Sequence, residues 1–357
     1  IADSLEINLD VLPLKYEGLN GTELAISESQ ERMAVVIEAH EKEKFIKFCE
    51  AENIKAVEIA KVTDSGRMQM FWNGQKIVDL SRAFLDTSGC SKYQKARIAH
   101  LQEVNSNSIE FNEENFYKIL AEKNTASQKG LVEMFDSTVG ATTVALPFGG
   151  KYQTTETEGC VQTLPILNAE NIETVSYASW GFDAEISKQN SMIGASLAVV
   201  ESVAKIVAMG GNFRNIRLSF QEYFEKLGNN PEKWGKPLAS LLGAYDAQMN
   251  LGLAAIGGKD SMSGTYQDIN VPPTLISFAC ADGKKLNTIS PEFKKAGNFI
   301  YHFHHKTQEN GLPNYENLIE VFDYIHQGIQ DKKIVSVKTI KDGGVAVAVA
   351  KMSFGNL

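Results

Sequence analysis

The sequence predicts an α/β (α+β) protein with more than one domain. Short apolar or alternating segments, which are typical of strands, come between amphipathic segments with helical spacing along the whole chain. The 357 residues suffice for two or three domains with buried cores. Hydrophobic residues at 43% and charged residues at 22% are the composition of an ordinary globular protein.

The composition also narrows the classes of partner and the cellular location. A formal net charge of −9 disfavours binding to nucleic acid or to a membrane surface. The four cysteines lie far apart without a Cys-x-x-Cys pair, which favours a reducing compartment over a zinc site or a disulfide framework. The sequence shows no signal peptide and no apolar run of the roughly 18 residues that a membrane helix needs. We therefore expect a cytoplasmic protein.

Local patterns predict the elements. Asn73-Gly74 is a strong signal for a two-residue hairpin turn, and Asn112 is placed to cap a short helix. Strands are predicted at 33–38, 55–62, 130–135, 298–304 and 334–337, and helices at 41–53, 190–209, 237–250, 314–329 and 345–352. The helix over 237–250 is predicted to bury five large apolar residues, Leu238, Leu241, Leu242, Tyr245 and Met249.

A glycine-rich polar stretch at 257–266 is the first candidate for a binding site. Glycines permit positive φ and the close approach of a ligand, and consecutive N–H groups in such a turn can form a concavity for anions. Lys259 adds a charge suited to phosphate. The stretch is not a P-loop, because Lys259 is followed by Asp260 where that motif has Ser or Thr. A polar hairpin between two buried strands is the alternative.

Three other places carry candidate binding groups. Polar residues 27–32 precede a predicted strand, and Glu201 and Lys205 lie four apart on one face of a predicted helix. Asp342-Gly343-Gly344 opens the last predicted helix, where free N–H groups form a ready anion site. The alternatives are a solvated turn, a surface ion pair and an ordinary helix start.

Three motifs together resemble one family. They are Glu-Ser-Gln-Glu-Arg-Met at 28–33, Phe-Asp-Ser-Thr-Val-Gly at 135–140 and Gly-Gly-Lys-Asp-Ser-Met-Ser at 257–263. In content and order they are similar to the phosphoribosylformylglycinamidine synthases of the aminoimidazole ribonucleotide synthetase superfamily. Asp342-Gly343-Gly344 fits as well, so the resemblance extends over essentially the whole chain.

The resemblance implies a PurM-like fold, in which A-type and B-type domains have mixed or antiparallel sheets covered by helices. The synthetase core of the family is a duplicated A–B pair, so we expect this chain to be an internal fragment. The expected divisions are 1–105 as the C-terminal part of the first B-type domain, 106–126 as a linker helix, 127–285 as the second A-type domain and 286–357 as the start of the second B-type domain.

The resemblance also implies an activity. The family converts formylglycinamide ribonucleotide, glutamine and ATP to formylglycinamidine ribonucleotide, glutamate, ADP and phosphate in purine biosynthesis. An amide oxygen of the substrate is phosphorylated, and ammonia from a glutaminase domain then displaces it as phosphate. We expect the catalytic residues upstream of Ile1, in the first A-type domain, so that domain and the glutaminase are the expected partners. The fragment alone is then expected to be inactive.

Site residues follow from the resemblance by position. The residues expected to contact the ribonucleotide substrate are Glu28, Ser29, Gln30 and Ser261. The residues expected to bind nucleotide or phosphate are Lys129, Gly258, Lys259 and Lys341. Glu158 and Glu201 match metal ligands. ATP and Mg²⁺ are the expected cofactors of the complete enzyme.

Large relatives carry a second, non-catalytic nucleotide site, to which Lys129, Glu158, Glu201 and Lys341 correspond. Here Lys205 and Thr339 stand where relatives have a metal-binding Asn and Asp. Losing two oxygen ligands weakens an octahedral magnesium site. We hypothesise that Lys205 supplies its own charge in place of the ion.

Two alternatives from other classes remain. The first is a non-catalytic scaffold that positions the glutaminase. The second is a kinase-like member of the superfamily, such as a thiamine-phosphate or selenophosphate enzyme, against which the motifs at 28–33 and 257–263 argue. A homodimer of the fragment is also expected, because the family pairs its A-type surface within one chain and an unpaired surface favours self-association.

Overall fold

The computed structural model describes residues 2–15, 17–28, 32–87, 90, 93–99, 103–104, 109–166 and 171–356. The chain divides into two compact units, Ile1–Tyr93 and Gln94–Leu357. Each contains a sheet with both parallel and antiparallel strand pairs, together with helices. The predicted α/β class with mixed sheets is therefore confirmed.

The first unit contains a four-stranded sheet in the order β2-β1-β3-β4. Strands β1 and β3 are parallel and the other pairs are antiparallel. The elements are β1 (Leu5–Asn8), α1 (Gly21–Ile26), α2 (Lys42–Ala51), β2 (Ala60–Val62), β3 (Arg67–Trp72), β4 (Gln75–Ser81) and α3 (Arg82–Thr87). Asn73 and Gly74 join β3 to β4 with φ of 51° and 73°, and two successive positive φ values are what the predicted two-residue turn requires.

Two predictions for the first unit are wrong. Residues 33–38 form no strand, and Met33 and Val35 are 90% and 54% exposed. Helix α2 forms as predicted but buries none of its residues fully, with Phe48 62% exposed. An apolar pattern shows which residues could be buried, whereas burial also requires a partner surface within the unit. In the sheet, β1 takes the place beside β3. The sequence reasoning missed β1, although Leu5, Ile7 and Leu9 alternate with polar residues as in a half-buried strand.

The second unit contains a six-stranded sheet in the order β11-β10-β14-β9-β8-β5. Its strands are β5 (Thr143–Ala145), β8 (Cys160–Thr163), β9 (Thr174–Gly181), β10 (Arg217–Phe224), β11 (Ala254–Met262) and β14 (Thr274–Lys284), and the small hairpins are β6 (Phe148–Gly149) with β7 (Thr155–Glu156) and β12 (Thr265–Tyr266) with β13 (Ile269–Asn270). The helices are α4 (Glu113–Leu120), α5 (Lys129–Val132), α6 (Ala184–Gln189), α7 (Ser191–Ala208), α8 (Pro231–Leu251), α9 (Tyr315–Gln330) and α10 (Gly344–Phe354).

Three helices in the second unit begin where asparagine caps were predicted or available. The Oδ1 atoms of Asn112, Asn190 and Asn314 each accept a backbone N–H from three residues ahead, at 2.9, 3.0 and 3.1 Å. Such a cap satisfies one of the N–H groups that a helix start leaves without a partner. The predicted starts of α4, α7 and α9 are therefore confirmed.

Helix α7 forms the centre of the core. It contacts β9 and β14 on one side and α8 and α9 on others, and Val199, Val203 and Ile206 are fully buried. By length and composition this 18-residue helix could cross a membrane, contrary to the expectation from sequence. Because 78% of the segment is buried inside the unit, we interpret it as a core helix.

Helix α8 packs with its small residues rather than its large ones. Ala239, Gly243 and Ala247 are buried towards the core. The five residues predicted to be buried are 38–63% exposed: Leu238, Leu241, Leu242, Tyr245 and Met249. The reason is the close approach of α7, since a Cβ at Gly243 would lie 2.0 Å from the carbonyl oxygen of Met192. The pattern correctly predicted a helix but the wrong face.

Three predicted strands are not strands. Residues 130–135 contain the short helix α5, and residues 298–304 and 334–337 form no regular strand. All three segments are apolar enough for a strand, but none pairs with either sheet. Helices α9 and α10, predicted in the same part of the chain, do form.

Gly243→Ala is expected to lower the free energy of unfolding of the second unit by about 1–3 kcal/mol, because the added methyl group forces α7 and α8 apart. Chemical unfolding followed by circular dichroism measures the change. Gly130→Ala is the control, since a Cβ at Gly130 in α5 meets nothing within 4 Å. Equal stability of the two variants would contradict the close packing inferred for Gly243.

Candidate functional site

A cavity of about 740 Å³ lies in the second unit. Its wall is built from strands β5 to β9, residues before and within α5, and the segment 338–348. The apolar part of the wall includes Val139, Phe148 and Val347. The charged residues on the wall are Asp136, Glu156, Glu158, Lys205, Lys338, Lys341, Asp342 and Lys351. The wall therefore carries both signs of charge in similar number.

Glu201 is the centre of the first charged cluster. Its Oε1 atom lies 2.7 Å from the Nζ of Lys205 and 2.5 Å from the Nζ of Lys341, and its Oε2 atom accepts the N–H of Phe182 at 3.1 Å. Lys205 also donates to the carbonyl oxygen of Trp180 at 2.8 Å, and its Nζ lies 4.5 Å from the centroid of that indole ring. Burial lowers the pKa of the Lys205 ammonium, and Glu201 opposes that effect.

Glu158 is the centre of the second cluster. Its side chain is only 3% exposed, and its Oε1 atom accepts from the Nζ of Lys338 at 2.8 Å. Its Oε2 atom accepts the backbone N–H of Thr339 at 3.3 Å and also the hydroxyl of Thr339. Lys338 was missed by the sequence reasoning, and only its position next to Thr339 could have indicated it.

The structure thus brings together three of the four residues assigned to the second nucleotide site. Glu158 and Lys341 line the cavity, and Glu201 contacts Lys341. Lys129 does not line the cavity, although its neighbours do, and its Nζ lies 3.6 Å from Glu133. A helix replaces the predicted strand at this point, so Lys129 is turned towards the next helical turn.

A magnesium ion does not fit these residues. Among the described residues no group of three or more His, Cys, Asp or Glu could hold a metal ion. The two carboxylates in question are already bonded to lysines. Mg²⁺ requires an octahedral shell of oxygen ligands, which ammonium groups cannot supply.

The glycine-rich stretch differs from its prediction. Residues 254–262 form β11, which pairs in parallel with β10 at the edge of the sheet, and neither Gly257 nor Gly258 has a positive φ. A Cβ at Gly258 would lie 2.6 Å from the carbonyl oxygen of Phe220. The glycine therefore permits a close approach between β11 and β10. The expected anion-binding turn does not form, because these residues are extended.

Strand β11 presents different residues on its two faces. Lys259 and Ser261 pair in register with Gln221 and Tyr223, whose side chains lie on the face away from the helices. Lys259 is exposed and Ser261 is half-buried. These two predicted site residues therefore lie together on the open face of the sheet.

On the other face, Asp260 lies beside Glu222. Glu222 is 6% exposed, and its Oε1 atom is buried without a hydrogen-bond partner. Burial, with the nearby Asp260 adding to it, raises the pKa of Glu222 to about 7. The sequence reasoning missed this residue. Its signal was a glutamate at the inward position of an alternating strand, between Phe220 and Phe224.

The third predicted site is only partly described. Glu28 is exposed shortly after α1. Ser29 and Gln30 lie outside the described residues.

Comparisons with known proteins agree with the fold. Residues 2–73 match the family model described as AIR synthase related protein, C-terminal domain. The phosphoribosylformylglycinamidine synthase subunit PurL of Thermoplasma acidophilum is 26% identical over 98% of this chain and 48% of its own length. The same subunit of Campylobacter lari is 24% identical over 98% of this chain and 49% of its own length. The chain is a relative of these synthase subunits.

Solved structures give the same result for the fold. The chain is similar to T. maritima PurL complexed with ATP, with a TM-score of 0.63, 17% identity and coverage of 98% of this chain and 52% of that one. It is similar to T. maritima PurL complexed with FGAR, with a TM-score of 0.62, 17% identity and coverage of 92% and 48%. The chain spans about half the length of the relatives it matches.

Glu222→Gln is expected to remove a pH dependence of stability. The carboxyl has a pKa of about 7 in the folded chain and near 4.5 when unfolded, so the folded state binds the proton more tightly. The free energy of unfolding therefore falls as the pH rises from about 4.5 to about 7, by at most about 3 kcal/mol. Urea unfolding from about pH 5 to about pH 8 measures it.

Glu320→Gln is the control for this experiment, because Glu320 is an exposed glutamate on α9. The control is expected to keep the slope of the wild type. The same slope in Glu222→Gln would show that another group causes the pH dependence.

Proposed function

We propose that the chain provides half of the synthetase core of a phosphoribosylformylglycinamidine synthase, an ATP-dependent C–N ligase. In this reaction the glycinamide carbonyl oxygen of formylglycinamide ribonucleotide takes the γ-phosphoryl group of ATP and ADP leaves. Ammonia from glutamine then attacks the carbonyl carbon, and the oxygen leaves with the phosphate. The support is that relatives with this name match 98% of the chain, at about half of their own length. The complete activity then requires the other half of the relatives' length and a source of ammonia.

The observation that carries a catalytic role is the arrangement on the open face of β11. Lys259 is exposed beside Gln221, and Ser261 lies one pair further along beside Tyr223. We propose that Lys259 contacts a phosphate oxygen of the nucleotide and that Ser261 donates to the ribonucleotide substrate. A lysine ammonium is a compact charge suited to phosphate, and an edge strand leaves it accessible. Glu28, Ser29 and Gln30 remain proposed substrate contacts, and Gly258 a proposed nucleotide contact.

The remaining assignments are proposals of the same kind. ATP is proposed as the nucleotide, with Mg²⁺ held largely by residues of the other half of the enzyme. A first A-type domain and a glutaminase are the proposed partners, and a homodimer is a possible state of this chain alone. A cytoplasmic location is proposed because purine synthesis uses cytoplasmic metabolites.

A scaffold without retained ligands is the second candidate. The observation in its favour is the pairing of cations and anions in the cavity at Glu201 and Glu158. It applies to the cavity and not to β11, which lies at the opposite edge of the sheet from β5. The two roles therefore concern different places in the second unit.

Lys259→Ala is expected to weaken the binding of Mg-ATP to this chain by about tenfold or more, since a hydrogen bond to a charged group contributes about 1.5–3 kcal/mol. Isothermal titration calorimetry measures the affinity. Lys284→Ala is the matched control, because Lys284 is an exposed lysine at the far end of β14. An equal loss in both variants would contradict a specific role for Lys259, and no binding by the wild type would favour the scaffold.

The chain alone is expected to form no ADP above background from ATP, formylglycinamide ribonucleotide and ammonium salt, because the proposed catalytic residues lie in the other half of the enzyme. A coupled ADP assay measures this. Turnover that depends on the ribonucleotide would contradict the proposed division of the active site.

A further inference from the structure

Two carboxylates at the cavity in the second unit already have partners within the protein: Glu158 lines the cavity, and Glu201 pairs with Lys205 and Lys341, which line it. Both oxygens of Glu158 are used, Oε1 by Lys338 and Oε2 by Thr339. Both oxygens of Glu201 have neighbours as well. Oε1 lies at ion-pair distance from two lysine ammonium groups, without hydrogen-bond geometry to either, and Oε2 accepts a backbone N–H. A cation could bind only by displacing one of these partners.

The lysines on the wall of the cavity are equally occupied. Lys205 and Lys341 share Glu201, Lys338 pairs with Glu158, and Lys351 lies 2.7 Å from Glu156. A polyphosphate would need several of these ammonium groups. Turning Lys338 towards a phosphate leaves the buried Glu158 without its lysine, which is strongly unfavourable.

The cluster at Glu201 is held in place from several elements. Glu201 and Lys205 belong to α7, Trp180 belongs to β9, and Lys341 precedes α10. Lys205 is fixed by the carbonyl oxygen and the ring of Trp180, and the Nζ of Lys341 lies 5.3 Å from the same ring. Lys205 lines the cavity, but its side chain is only 9% exposed, so its ammonium group is satisfied mainly by these protein partners and not by water.

We infer that this cavity holds neither a divalent cation nor a polyphosphate. The two lysine–glutamate clusters instead bind residues 338–341 to α7 and to the segment at Glu158 without any ligand. At Glu201 the place of a cation is taken by two lysines, Lys205 and Lys341, and not by Lys205 alone. At Glu158 it is taken by Lys338 together with the hydroxyl of Thr339. The inference does not depend on the activity proposed for β11.

Thermal unfolding of the 357-residue chain tests the inference, with EDTA and with MgCl₂ plus ADP as the probes. The Lys259→Ala variant is used beside the wild type, at an ADP concentration at which the expected weakening of about tenfold or more leaves β11 largely unoccupied. In Lys259→Ala we expect the same Tm with EDTA as with Mg-ADP. A ligand at about a hundred times its Kd would raise the Tm by several degrees.

A Mg-ADP-dependent rise in Tm that persists in Lys259→Ala and disappears in Lys205→Ala would overturn the inference. So would a fall in Tm with EDTA alone. A rise that Lys259→Ala abolishes belongs to β11, and it leaves the cavity as inferred. Failure of the proposed activity is thereby distinguished from failure of this inference.

The role of the clusters is tested by variants. Lys205→Ala is expected to lower the Tm much more than Lys188→Ala, whose lysine is exposed and pairs with Glu185 at 2.6 Å. Lys205→Ala combined with Glu201→Gln is expected to recover part of the loss, because the buried charge is removed. Lys341→Ala, at the more exposed edge of the cluster, is the variant to use if Lys205→Ala does not fold. A Tm for Lys205→Ala or Lys341→Ala equal to that of Lys188→Ala would overturn the structural role.

Discussion

Helix α7 is packed against the sheet on one side and against α8 and α9 on others, so its polar residues have little access to water. Glu201 and Lys205 lie on this helix and must be neutralised inside the protein. Pairing them with each other is the first part of the solution, and Trp180 and Lys341 complete it. The path of residues 338–342 and one wall of the cavity follow from this requirement.

The edge strand β11 of the same sheet is subject to a different constraint, its close approach to β10. Close approach of β11 to β10 requires a residue without a side chain at Gly258, and the strand then alternates its polar groups between two faces. Lys259 and Ser261 are available to a ligand on the open face. Asp260 is directed to the side of Glu222, where burial of the Glu222 carboxyl, with the nearby charge of Asp260 adding to it, raises the pKa of Glu222. The neighbouring strands β11 and β10 therefore carry an accessible cation on one face of the sheet and a buried acid on the other.

Sequence signals predicted the structure correctly where the interaction involves only residues that are close together in the chain. An asparagine cap needs only the three residues that follow it, and an Asn-Gly turn needs only two positive φ values, so Asn112, Asn314 and Asn73-Gly74 were predictable. The apolar segments at 33–38 and 298–304 were not, because a strand needs a partner from elsewhere in the chain. For the same reason the pattern of α8 could not show that its small residues, rather than Leu241 and Met249, face the core.

By itself the sequence determined the α/β class, the main helices, the resemblance to the synthases and several of the charged residues around the cavity, because these depend on composition, short-range pattern and motif order. Only the tertiary structure decided what those residues do to one another. In the sequence, the spacing of Glu201 and Lys205 is equally consistent with an exposed ion pair on a helix surface. Their low exposure and their contacts in the structure show that they neutralise each other together with Lys341. Whether a carboxylate is free for a metal ion depends on neighbours that are distant in sequence, and Lys338 and Thr339 reach Glu158 only in the folded chain.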